Sequence, residues 1–591
     1  MCGIFGFVST TPQKTAITIS GLKKLEYRGY DSWGVAVETD GKLTIRKKKG
    51  KLSTSAISNQ ISNINSRLSI GHTRWATHGE VTDKNAHPHS DCTGRIAVVH
   101  NGIFENYEDA KNILIKKGHK FVSGTDTEVI AHLIEEHLKR TTFERAVQKT
   151  FGLMHGLNAI VVANASSNQI IAVKNGSPLA IGVSQKSMYI ASDVTAITPY
   201  TSKVIILADE TMAILGKKLK LISLSDGEEV GFKVERIKPE EAEHTKGKFP
   251  HFLLKEIYEQ PKVLLSLYPK EKNTISSLAD KVSKAFGTYM LGCGTSSYAA
   301  LAGEYFFSMI AKKHVNYSIG SEFKYLQDFI TESSLIIPIS QSGETIDVVE
   351  PVVIARNKGA EIFPIVNVSN STLSRVANES LFLHAGQEKA VVGTKSFISM
   401  IGLLLLTAYA TKGKPLEGKK LLDAASEDLT NILSKKSINS IKLLAKSLRK
   451  HNHTFSIGRG VSYATALEAA LKLKETALVH AEGFAGGELK HGVIALIEKG
   501  TPCFVFAPND ETYSEIISNA QEIKARGGLI IGIGPKNATV FDVFLKTADL
   551  SEATIISQVV YMQLLAYYLA VERGIKDPDK PRNLAKSVTV K

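Results

Sequence analysis

With 591 residues, the chain is long enough for about three or four domains, and a composition of 43% hydrophobic and 22% charged residues is typical of a soluble globular protein. The formal charge of +14 would suit a nucleic-acid partner, but the lysines are scattered and the densest basic run, at 46–51, contains no aromatic residue, so we expect no nucleic-acid binding. The longest apolar run, at 397–410, has about 14 residues and is too short to cross a membrane. The first residues lack the basic and apolar segments of a secretory signal, so we expect a cytoplasmic protein that does not bind membranes.

The four cysteines are far apart in the sequence. Cys2, Cys92, Cys293 and Cys503 include no pair at a spacing typical of metal sites, so the sequence predicts neither a disulfide framework nor a zinc site. Three of them fit the role of small buried apolar residues. We therefore expect no metal.

Residues 1–238 predict an α+β domain with much β-sheet. Short apolar or alternating strands are predicted at 3–8, 95–100, 159–163 and 187–191, and helices at 12–24 and 127–139. A charged stretch with two prolines follows at 238–250, so we assign 239–252 to a linker.

The second half of the chain alternates strands, loops and helices, which is typical of a parallel α/β sheet, and it repeats itself. LGCGTSSYAAL at 291–301 resembles IGRGVSYATAL about 166 residues later, and Glu344 and Thr345 recur as Glu511 and Thr512. The pattern predicts two copies of one α/β domain, at 253–425 and 426–576, followed by a C-terminal tail at 577–591.

Cys2 is a candidate nucleophile. Removal of the initiator methionine would place its thiol beside a free α-amino group with a pKa of roughly 7.7–8.0, which can act as a base. Alone, Cys2 fits equally a small residue of an edge strand. The segments YRGYDS at 27–32, GHTRWATHG at 71–79, NAHPH at 85–89, HNG at 100–102 and GTDTE at 124–128 follow it in order. Together they resemble the glutaminase domain of class II (N-terminal nucleophile) amidotransferases, an αββα sandwich.

That resemblance implies a role for each motif. Cys2 would attack the side-chain amide of glutamine, Asn101 and Gly102 would form the oxyanion hole, and Trp75 would gate the path of ammonia. The implied glutamine-binding residues are Arg28, Arg74, Thr77, His78 and Asp126, with Arg74 on the α-carboxylate and Asp126 on the α-ammonium group. Trp33 stands where family members usually carry a small residue, and its effect on the glutamine pocket is left open.

A loop rich in hydroxyl groups lies between a predicted strand at 335–339 and a predicted helix at 346–356. It supplies Ser340, Gln341, Ser342 and Thr345, and hydroxyl and backbone N–H groups at a helix N-terminus can hold a phosphate. With Thr295 and Ser296 it resembles the sugar isomerase (SIS) fold, a doubly wound α/β module of aldose–ketose enzymes that act on phosphosugars. The second copy lacks these hydroxyls, so we expect one sugar site per chain.

A predicted helix at 465–477 places Lys472 and Glu475 on one face, an arrangement that alone fits a solvated ion pair. However, the segments at 468–475, 481–492 and 581–590 resemble the isomerase half of the amidotransferases that make glucosamine 6-phosphate. The resemblance implies that Glu475 is the isomerisation base and Lys586 forms a Schiff base with the ketose. It also implies that His491, from a partner subunit, opens the sugar ring, and that Lys472 and Ala585 contact the sugar.

The implied substrates are glutamine and fructose 6-phosphate, handled by a homodimer without a cofactor. Two alternatives remain. A related enzyme could aminate or deglycate another phosphosugar, because Gly393 stands where family members have serine or alanine. A catalytically silent sugar-phosphate sensor would be expected to lose Cys2, Glu475 or Lys586, and all three are present.

Overall fold

The computed structural model describes residues 2–55, 57–236, 245–369 and 371–588. The chain forms two compact units. The first comprises Met1–Glu243 with Ala585–Lys591, and the second comprises His244–Leu584.

The first unit contains fourteen strands and five helices among its described residues. The strands are β1 (Gly3–Lys14), β2 (Ser32–Thr39), β3 (Lys42–Lys49), β4 (Asn65–Arg74), β5 (His89–Ser90), β6 (Ile96–Gly102), β7 (Asn158–Asn164), β8 (Gln169–Asn175), β9 (Ala180–Val183), β10 (Ser187–Ala191), β11 (Lys203–Ile206), β12 (Thr211–Leu215), β13 (Lys220–Ser223) and β14 (Glu235–Arg236). The helices are α1 (Ala16–Leu25), α2 (Ile57–Ser62), α3 (Tyr107–Lys116), α4 (Thr127–Leu138) and α5 (Phe143–Gly152).

Two antiparallel sheets form the middle layers of this unit. Their orders are β14-β11-β9-β10-β1-β4-β2-β3 and β13-β12-β8-β7-β6-β5. Alternation along β7 shows how both faces are buried: Val161 lies in the core between the sheets, whereas Ile160 and Val162 pack beneath α4 and α5. Helix α1 covers the outer face of the larger sheet. The expected αββα sandwich is confirmed.

Two sequence predictions near the start of this unit need correction. The strand predicted at 3–8 continues to Lys14, and the helix predicted at 12–24 starts only at Ala16. Gln13 and Lys14 still pair with β4 after a register shift, and this pairing outweighs the local helical pattern. Of the expected linker at 239–252, residues 239–244 lie outside the described residues, and Phe252 already begins a helix.

The second unit is α/β throughout. Its helices are α6 (Phe252–Lys284), α7 (Thr295–Phe306), α8 (Gly320–Phe323), α9 (Ile346–Asn357), α10 (Thr372–Arg375), α11 (Lys395–Thr411), α12 (Pro415–Ile432), α13 (Lys435–Leu448), α14 (Val461–Ala477), α15 (Tyr513–Lys524) and α16 (Thr554–Glu572). Its strands are β15 (Gly287–Gly292), β16 (Asn316–Ile319), β17 (Ser334–Ser340), β18 (Glu361–Ile362), β19 (Ile365–Val366), β20 (Leu381–Phe382), β21 (His453–Gly458), β22 (His480–Ala485), β23 (Pro502–Phe506), β24 (Leu529–Gly534) and β25 (Val543–Lys546).

The duplication predicted from sequence is visible in the sheets. Both are parallel, with orders β16-β15-β17-β19-β20 and β22-β21-β23-β24-β25, so each copy places its strands in the order 2-1-3-4-5. The turn after the first strand of each copy also matches. Gly294 has φ 55° and ψ −129°, and Gly460 has φ 54° and ψ −137°. This conformation favours glycine, which explains why both copies of the motif carry it.

Two expected boundaries do not match the ends of structural elements. The division at 425/426 falls inside α12, a continuous helix that packs against both α6 and α16. The expected tail at 577–591 is divided between the units after Leu584. Its first part is anchored in the second unit, because the Asp579 carboxylate accepts hydrogen bonds from the N–H groups of Phe252 (2.9 Å) and Leu253 (2.8 Å) at the start of α6.

The sequence prediction considered only the longest uninterrupted apolar run, at 397–410, and so overlooked a longer apolar helix. Residues Ser551–Glu572 are long and apolar enough to cross a membrane, with a mean hydropathy of 1.5 over the most apolar window, but 89% of that window is buried inside the protein. Gln558 and Gln563 interrupt its apolar sequence and are also buried, where Gln558 accepts from Ser462 (3.0 Å) and Gln563 from Gln260 (2.7 Å). This burial is typical of the core helix of a globular domain.

Candidate active site

Cys2 lies immediately before β1, beside the end of β4. Its Sγ atom is 3.3 Å from the backbone nitrogen of Trp75 and 3.5 Å from the Trp75 carbonyl oxygen. Burial raises the pKa of the Cys2 thiol, so the thiol needs a base to become nucleophilic at neutral pH. An α-amino group on the same residue would be such a base.

Asn101, near the end of β6, faces Cys2 with its amide nitrogen. Nδ2 donates to the Cys2 carbonyl at 3.2 Å, while Oδ1 is 3.1 Å from His72 Nε2. The same His72 nitrogen is 3.0 Å from the His100 carbonyl, which can only accept, so Nε2 carries a proton. Burial lowers the pKa of His72 to about 3, so the ring stays neutral. His72 therefore fixes the Asn101 amide with its N–H donors directed at Cys2.

Gly102, the last residue of β6, follows Asn101 directly. It has φ +147°, and a Cβ atom there would lie 2.6 Å from both Asn158 Oδ1 and the Leu157 carbonyl oxygen. Only glycine fits, so the backbone at this position can approach a reacting group closely. A neutral amide and a backbone N–H are donors that can stabilise an oxyanion without titrating.

Two buried charges of opposite sign lie in the same unit. Arg74 ends β4, is 3% exposed, and donates to the carbonyls of His78, Gly79 (3.2 Å) and Glu80 (3.4 Å). Burial lowers the pKa of Arg74, and the charges of Cys2 and Asp126 oppose that shift. Asp126 precedes α4 and accepts from the Phe104 N–H at 2.9 Å. A guanidinium and a carboxylate held in this way can bind the two charged groups of an amino acid.

The other residues predicted for this site differ in exposure and contacts. Arg28 is buried and contacts Asp193 (3.2 Å) and the Cys2 carbonyl (3.4 Å), so it supports the backbone of the nucleophile. Thr77 is exposed and His78 is half-buried. Trp33 is 1% exposed and packs in the core beneath α1, which accounts for its size without a role in ligand binding.

In the second unit, the predicted phosphate loop joins β17 to α9. Ser340 Oγ accepts from the Gly343 N–H at 3.0 Å and lies 3.3 Å from Thr345 Oγ1, while Ser342 Oγ accepts from the Glu344 N–H at 3.1 Å. The Glu344 carboxylate is held by Thr372, through its N–H (2.8 Å) and hydroxyl (2.7 Å). The loop thus offers hydroxyls at a helix N-terminus, where an anion is favoured.

The corresponding loop of the second copy is different. Asp510 Oδ1 accepts from the N–H (2.9 Å) and hydroxyl (2.6 Å) of Thr512, directly before α15. The carboxylate therefore occupies donors that a phosphate would need, and it would repel one. The contrast fits one phosphate site per chain.

Lys472 on α14 connects the two copies. Its ammonium group donates to Glu475 (2.6 Å), Thr295 Oγ1 (3.1 Å) and the Gly393 carbonyl (3.2 Å), and Glu468 lies 3.4 Å away. Thr295, which begins α7, belongs to the first copy. The predicted residues Thr295, Lys472 and Glu475 thus form one cluster, and Glu468 and Glu475 each lie one turn of α14 away from Lys472, on opposite sides of it along the helix.

Burial governs the charges in this cluster. It raises the pKa of Glu468 to about 7. Burial alone would lower the pKa of Lys472, but Glu468 and Glu475 outweigh it and raise that pKa, so Lys472 remains an ammonium ion. Glu475 is the more accessible carboxylate, with 19% of its side chain exposed against none for Glu468. An accessible carboxylate beside a fixed positive charge can move a proton on a bound substrate.

The other residues predicted for the sugar site belong to other elements. His491 is exposed at the end of a short 3₁₀ helix, Gly486–His491. Ala585 and Lys586 group with the first unit. Ser296 follows Thr295 in α7 and is buried, and Gln341 accepts from the Asn367 N–H through its backbone carbonyl at 3.2 Å.

Two residues that shape these sites were missed from sequence. His72 lies within a quoted motif, but its contact with Asn101 joins β4 to β6 and has no local signature. Glu468 lies four residues before Lys472, a spacing that could have drawn attention to it, but its complete burial depends on packing between the copies. Its Oε2 atom has no hydrogen-bond partner among the described residues.

Comparisons with known families agree with the two-part architecture. Residues 72–199 match the family described as glutamine amidotransferase domain, and residues 282–410 and 447–572 each match the family described as SIS domain. The chain therefore carries an amidotransferase domain followed by two SIS domains.

Individual proteins extend the match to the whole chain. A protein named glutamine–fructose-6-phosphate aminotransferase (isomerizing) from Thermococcus kodakarensis is 42% identical over 612 aligned residues, covering 100% of both chains, and one of the same name from Pyrococcus horikoshii is 41% identical with the same coverage. The solved C-terminal domain of glucosamine-fructose-6-phosphate aminotransferase from Francisella tularensis covers 56% of this chain and 98% of its own, with 30% identity and a TM-score of 0.51. The chain belongs to the family of isomerizing glutamine–fructose-6-phosphate aminotransferases.

Proposed function

We propose that the chain transfers the amide nitrogen of glutamine to fructose 6-phosphate, giving glucosamine 6-phosphate and glutamate. The observation that carries this proposal is the presence of two separate groups of reactive side chains on one chain. One set places Cys2 against Asn101, and the other places Lys472 and Glu475 against Thr295. Family membership over the full length makes this pair of reactions the expected use of both sets.

The first reaction is hydrolysis of glutamine at Cys2. With the initiator methionine removed, the α-amino group takes the thiol proton, and the sulfur attacks the side-chain amide carbon. Asn101 and Gly102 stabilise the tetrahedral oxyanion, ammonia leaves with a proton, and water cleaves the resulting thioester to release glutamate. Arg74 binds the α-carboxylate and Asp126 the α-ammonium group. Arg28, Thr77 and His78 frame the pocket, and Trp75 gates the departure of ammonia.

The second reaction takes place at the sugar. The phosphate binds to hydroxyl and N–H groups of two segments, and Ala585 contacts the sugar. The phosphate-binding residues are Thr295 and Ser296 at the start of α7, and Ser340, Gln341, Ser342 and Thr345 in the loop after β17. His491 of a partner copy opens the ring, and Lys586 forms a Schiff base with the keto group, releasing water. Ammonia then displaces Lys586 at carbon 2. Glu475 moves the proton between carbons 2 and 1, and the Lys472 ammonium stabilises the negative charge that develops.

The assembly and location are also proposals. A homodimer is needed if His491 acts on the neighbouring copy, and its exposure leaves it free to do so. Relatives that are metabolic enzymes support a cytoplasmic location. Scattered lysines and the burial of the long apolar helix at Ser551–Glu572 argue against a nucleic-acid or membrane partner.

A second candidate function is amination of another ketose phosphate, and Gly393 is the observation that favours it. Its carbonyl accepts from Lys472, so the backbone is part of the cluster while a side chain is missing. A Cβ atom there would sit 3.5 Å from Ser396 Oγ and 3.7 Å from Thr295 Cγ2, which is ordinary contact. The missing side chain therefore leaves extra space beside the sugar site.

A product assay separates these functions. The purified chain, supplied with glutamine and a panel of ketose phosphates, is expected to form an amino sugar from fructose 6-phosphate with the highest kcat/KM. Lys586→Ala is expected to abolish sugar conversion while basal glutaminase activity remains, because the Schiff base needs the amine. Faster amination of another ketose would favour the second candidate, and wild-type sugar conversion by Lys586→Ala would exclude the covalent step.

A further inference from the structure

Four side chains of the first unit converge at a point outside the glutamine pocket. They come from three segments: Cys92 from the turn between β5 and β6, His119 from the loop after α3, and His132 and Glu135 from consecutive turns of α4. Their candidate ligand atoms all lie within 4.8 Å of one another. His119 and His132 are buried, Glu135 is half-buried, and Cys92 is exposed.

The distances between these atoms fit a tetrahedron around a small cation. Cys92 Sγ is 3.8 Å from His119 Nδ1 and 3.6 Å from His132 Nδ1, and the two nitrogens are 3.3 Å apart. Glu135 Oε2 lies 3.1 Å from His119 Nδ1 and 3.2 Å from His132 Nδ1. Zinc bound at usual Zn–S, Zn–N and Zn–O lengths would separate tetrahedral ligands by roughly 3.3 to 3.6 Å.

The surrounding residues orient both rings toward the centre. His119 Nε2 is 3.2 Å from Glu136 Oε2, and a carboxylate can only accept, so the hydrogen bond is donated by an Nε2–H group. His132 Nε2 faces Glu128 Oε1 at 3.8 Å, beyond hydrogen-bond distance but favourable for an N–H. Both arrangements place the proton on Nε2 and leave the lone pair of Nδ1 directed inward, as in many metal-bound histidines.

Lone pairs on two nitrogens and a carboxylate oxygen repel one another at these distances unless a positive charge lies between them. The oxygen already accepts from the Cys92 N–H at 3.1 Å, which leaves its other lone pair for the centre. A thiolate, two imidazoles and a carboxylate form a ligand set that suits Zn²⁺. We propose that Cys92, His119, His132 and Glu135 form a structural zinc site in the glutaminase unit.

Four protein ligands close the coordination sphere, so the site is structural and has no position for a substrate. It would tie the turn before β6 to α4. β6 ends in Asn101 and Gly102, and α4 begins directly after Asp126, so the ion would brace two walls of the proposed glutamine pocket.

The sequence prediction of no zinc site considered only the spacing between cysteines. This cluster contains a single cysteine, so that spacing gives no information about it. The histidine and glutamate partners of Cys92 are 27, 40 and 43 residues further along the chain. No pair of cysteines is involved. The i and i+3 spacing of His132 and Glu135 on α4 is the one local sign in the sequence.

The test uses the untagged full chain. Metal analysis after dialysis is expected to find about one zinc per chain. After chelation and reconstitution with Co²⁺, the visible spectrum should show the intense bands of a tetrahedral ion with a thiolate-to-cobalt charge-transfer band. Cys92→Ser, whose side chain is exposed and does not support the core, should lose that band and bind zinc more weakly by at least roughly tenfold. Glu135→Gln should weaken zinc binding in the same direction.

Cys293→Ser is the matched control, because it removes a cysteine from the other unit and should leave metal content and spectrum unchanged. Absence of zinc and of the cobalt bands in the wild-type chain would mean that the cluster is held by protonated histidines alone, and would overturn the proposal. Equal zinc binding by wild type and Cys92→Ser would overturn it as well, since the ion would then lie elsewhere. Glutaminase activity is not the readout, so failure of the zinc site leaves the proposed function standing.

Discussion

In the proposed hydrolysis of glutamine, Cys2 supplies the thiol and, once the initiator methionine is removed, the α-amino group. Its sulfur lies against the Trp75 backbone, and its carbonyl accepts from Asn101 and Arg28. The carbonyl contacts fix the backbone from which both the amine and the thiol extend. Chemistry at this residue should therefore be separable from chemistry at the sugar.

Replacing Cys2 by alanine tests that separation. Cys2→Ala should abolish glutamine hydrolysis, because no other group supplies the sulfur, yet it should retain synthesis of glucosamine 6-phosphate from concentrated free ammonia. Both rates are measured on one preparation, by glutamate release and by amino-sugar formation. Loss of the ammonia-dependent reaction in a folded variant would mean that the two sites do not divide the work as proposed.

At the residue scale, the sequence predicts residues that stand in contiguous motifs. Cys2, Arg74, Asn101 and Asp126 are predicted as site residues because each stands in a short ordered motif, and the structure places Asn101 against Cys2. His72 and the Cys92 cluster were not found, because their contacts join strands, loops and a helix that are distant in the sequence. Such contacts depend on sheet order, which local patterns do not specify.

At the element scale, the duplicated loops before α9 and α15 provide an internal comparison. Thr345 Oγ1 lies 3.3 Å from the hydroxyl of Ser340, whereas the hydroxyl of Thr512 donates to the carboxylate of Asp510. Thr345→Val should raise the KM for fructose 6-phosphate by about tenfold, the size expected for a hydrogen bond to a charged group, with little change in kcat. Thr512→Val is the matched control.

Steady-state kinetics with fructose 6-phosphate varied and glutamine saturating measure both variants. The account predicts that Thr512→Val keeps the wild-type KM. An equal rise in KM for the two variants would show that the second copy also binds the phosphate, contrary to the proposal of one site per chain.

Glu468 on helix α14 affects the stability of the protein as well as the charges of the Lys472 cluster. Burial raises the pKa of Glu468 to about 7 from the ordinary value of 4.5, so the folded state binds its proton more tightly than the unfolded chain. The contribution of Glu468 to the free energy of unfolding therefore falls as pH rises from about 4.5 to about 7 and then levels off. Glu468→Gln, which mimics the protonated acid, should lack this decline.

Thermal unfolding at about pH 5 and about pH 8 measures the effect. The melting temperature of Glu468→Gln minus that of wild type should be larger at the higher pH than at the lower pH, by roughly a few degrees. A difference that stays constant, or that moves against the variant at high pH, would show that Glu468 is not held with a raised pKa.

The sequence predicted the type of most elements correctly, but it predicted their first and last residues less well. The helices at 127–139 and 346–356 agree with α4 and α9 to within one residue at each end. A residue type favoured before a helix, Asp126 or Thr345, directly precedes each of them. Strand β1 was predicted too short, since its second part is stabilised by pairing with β4. The predicted boundary at 425/426 lies inside α12, and nothing in the sequence of α12 shows that this helix packs against both α6 and α16.

At the scale of the whole molecule, two internal features were readable from sequence. The duplication was visible in paired motifs, and its structural counterpart is the shared strand order with matching glycine turns. The change from an antiparallel α+β domain to parallel α/β domains was visible in the spacing of strands and helices. The burial of residues Ser551–Glu572 was not, since apolar helices of this length occur both in cores and in membranes.

The central claim is that nitrogen passes from glutamine to the sugar on this one chain. The most direct measurement supplies the purified protein with fructose 6-phosphate, glutamine labelled with ¹⁵N in the side-chain amide, and unlabelled ammonium in excess, and analyses the amino sugar by mass spectrometry. The account predicts glucosamine 6-phosphate that carries mostly ¹⁵N, with one glutamate released for each product. Unlabelled product, or glutamate formed with no amino sugar, would contradict it.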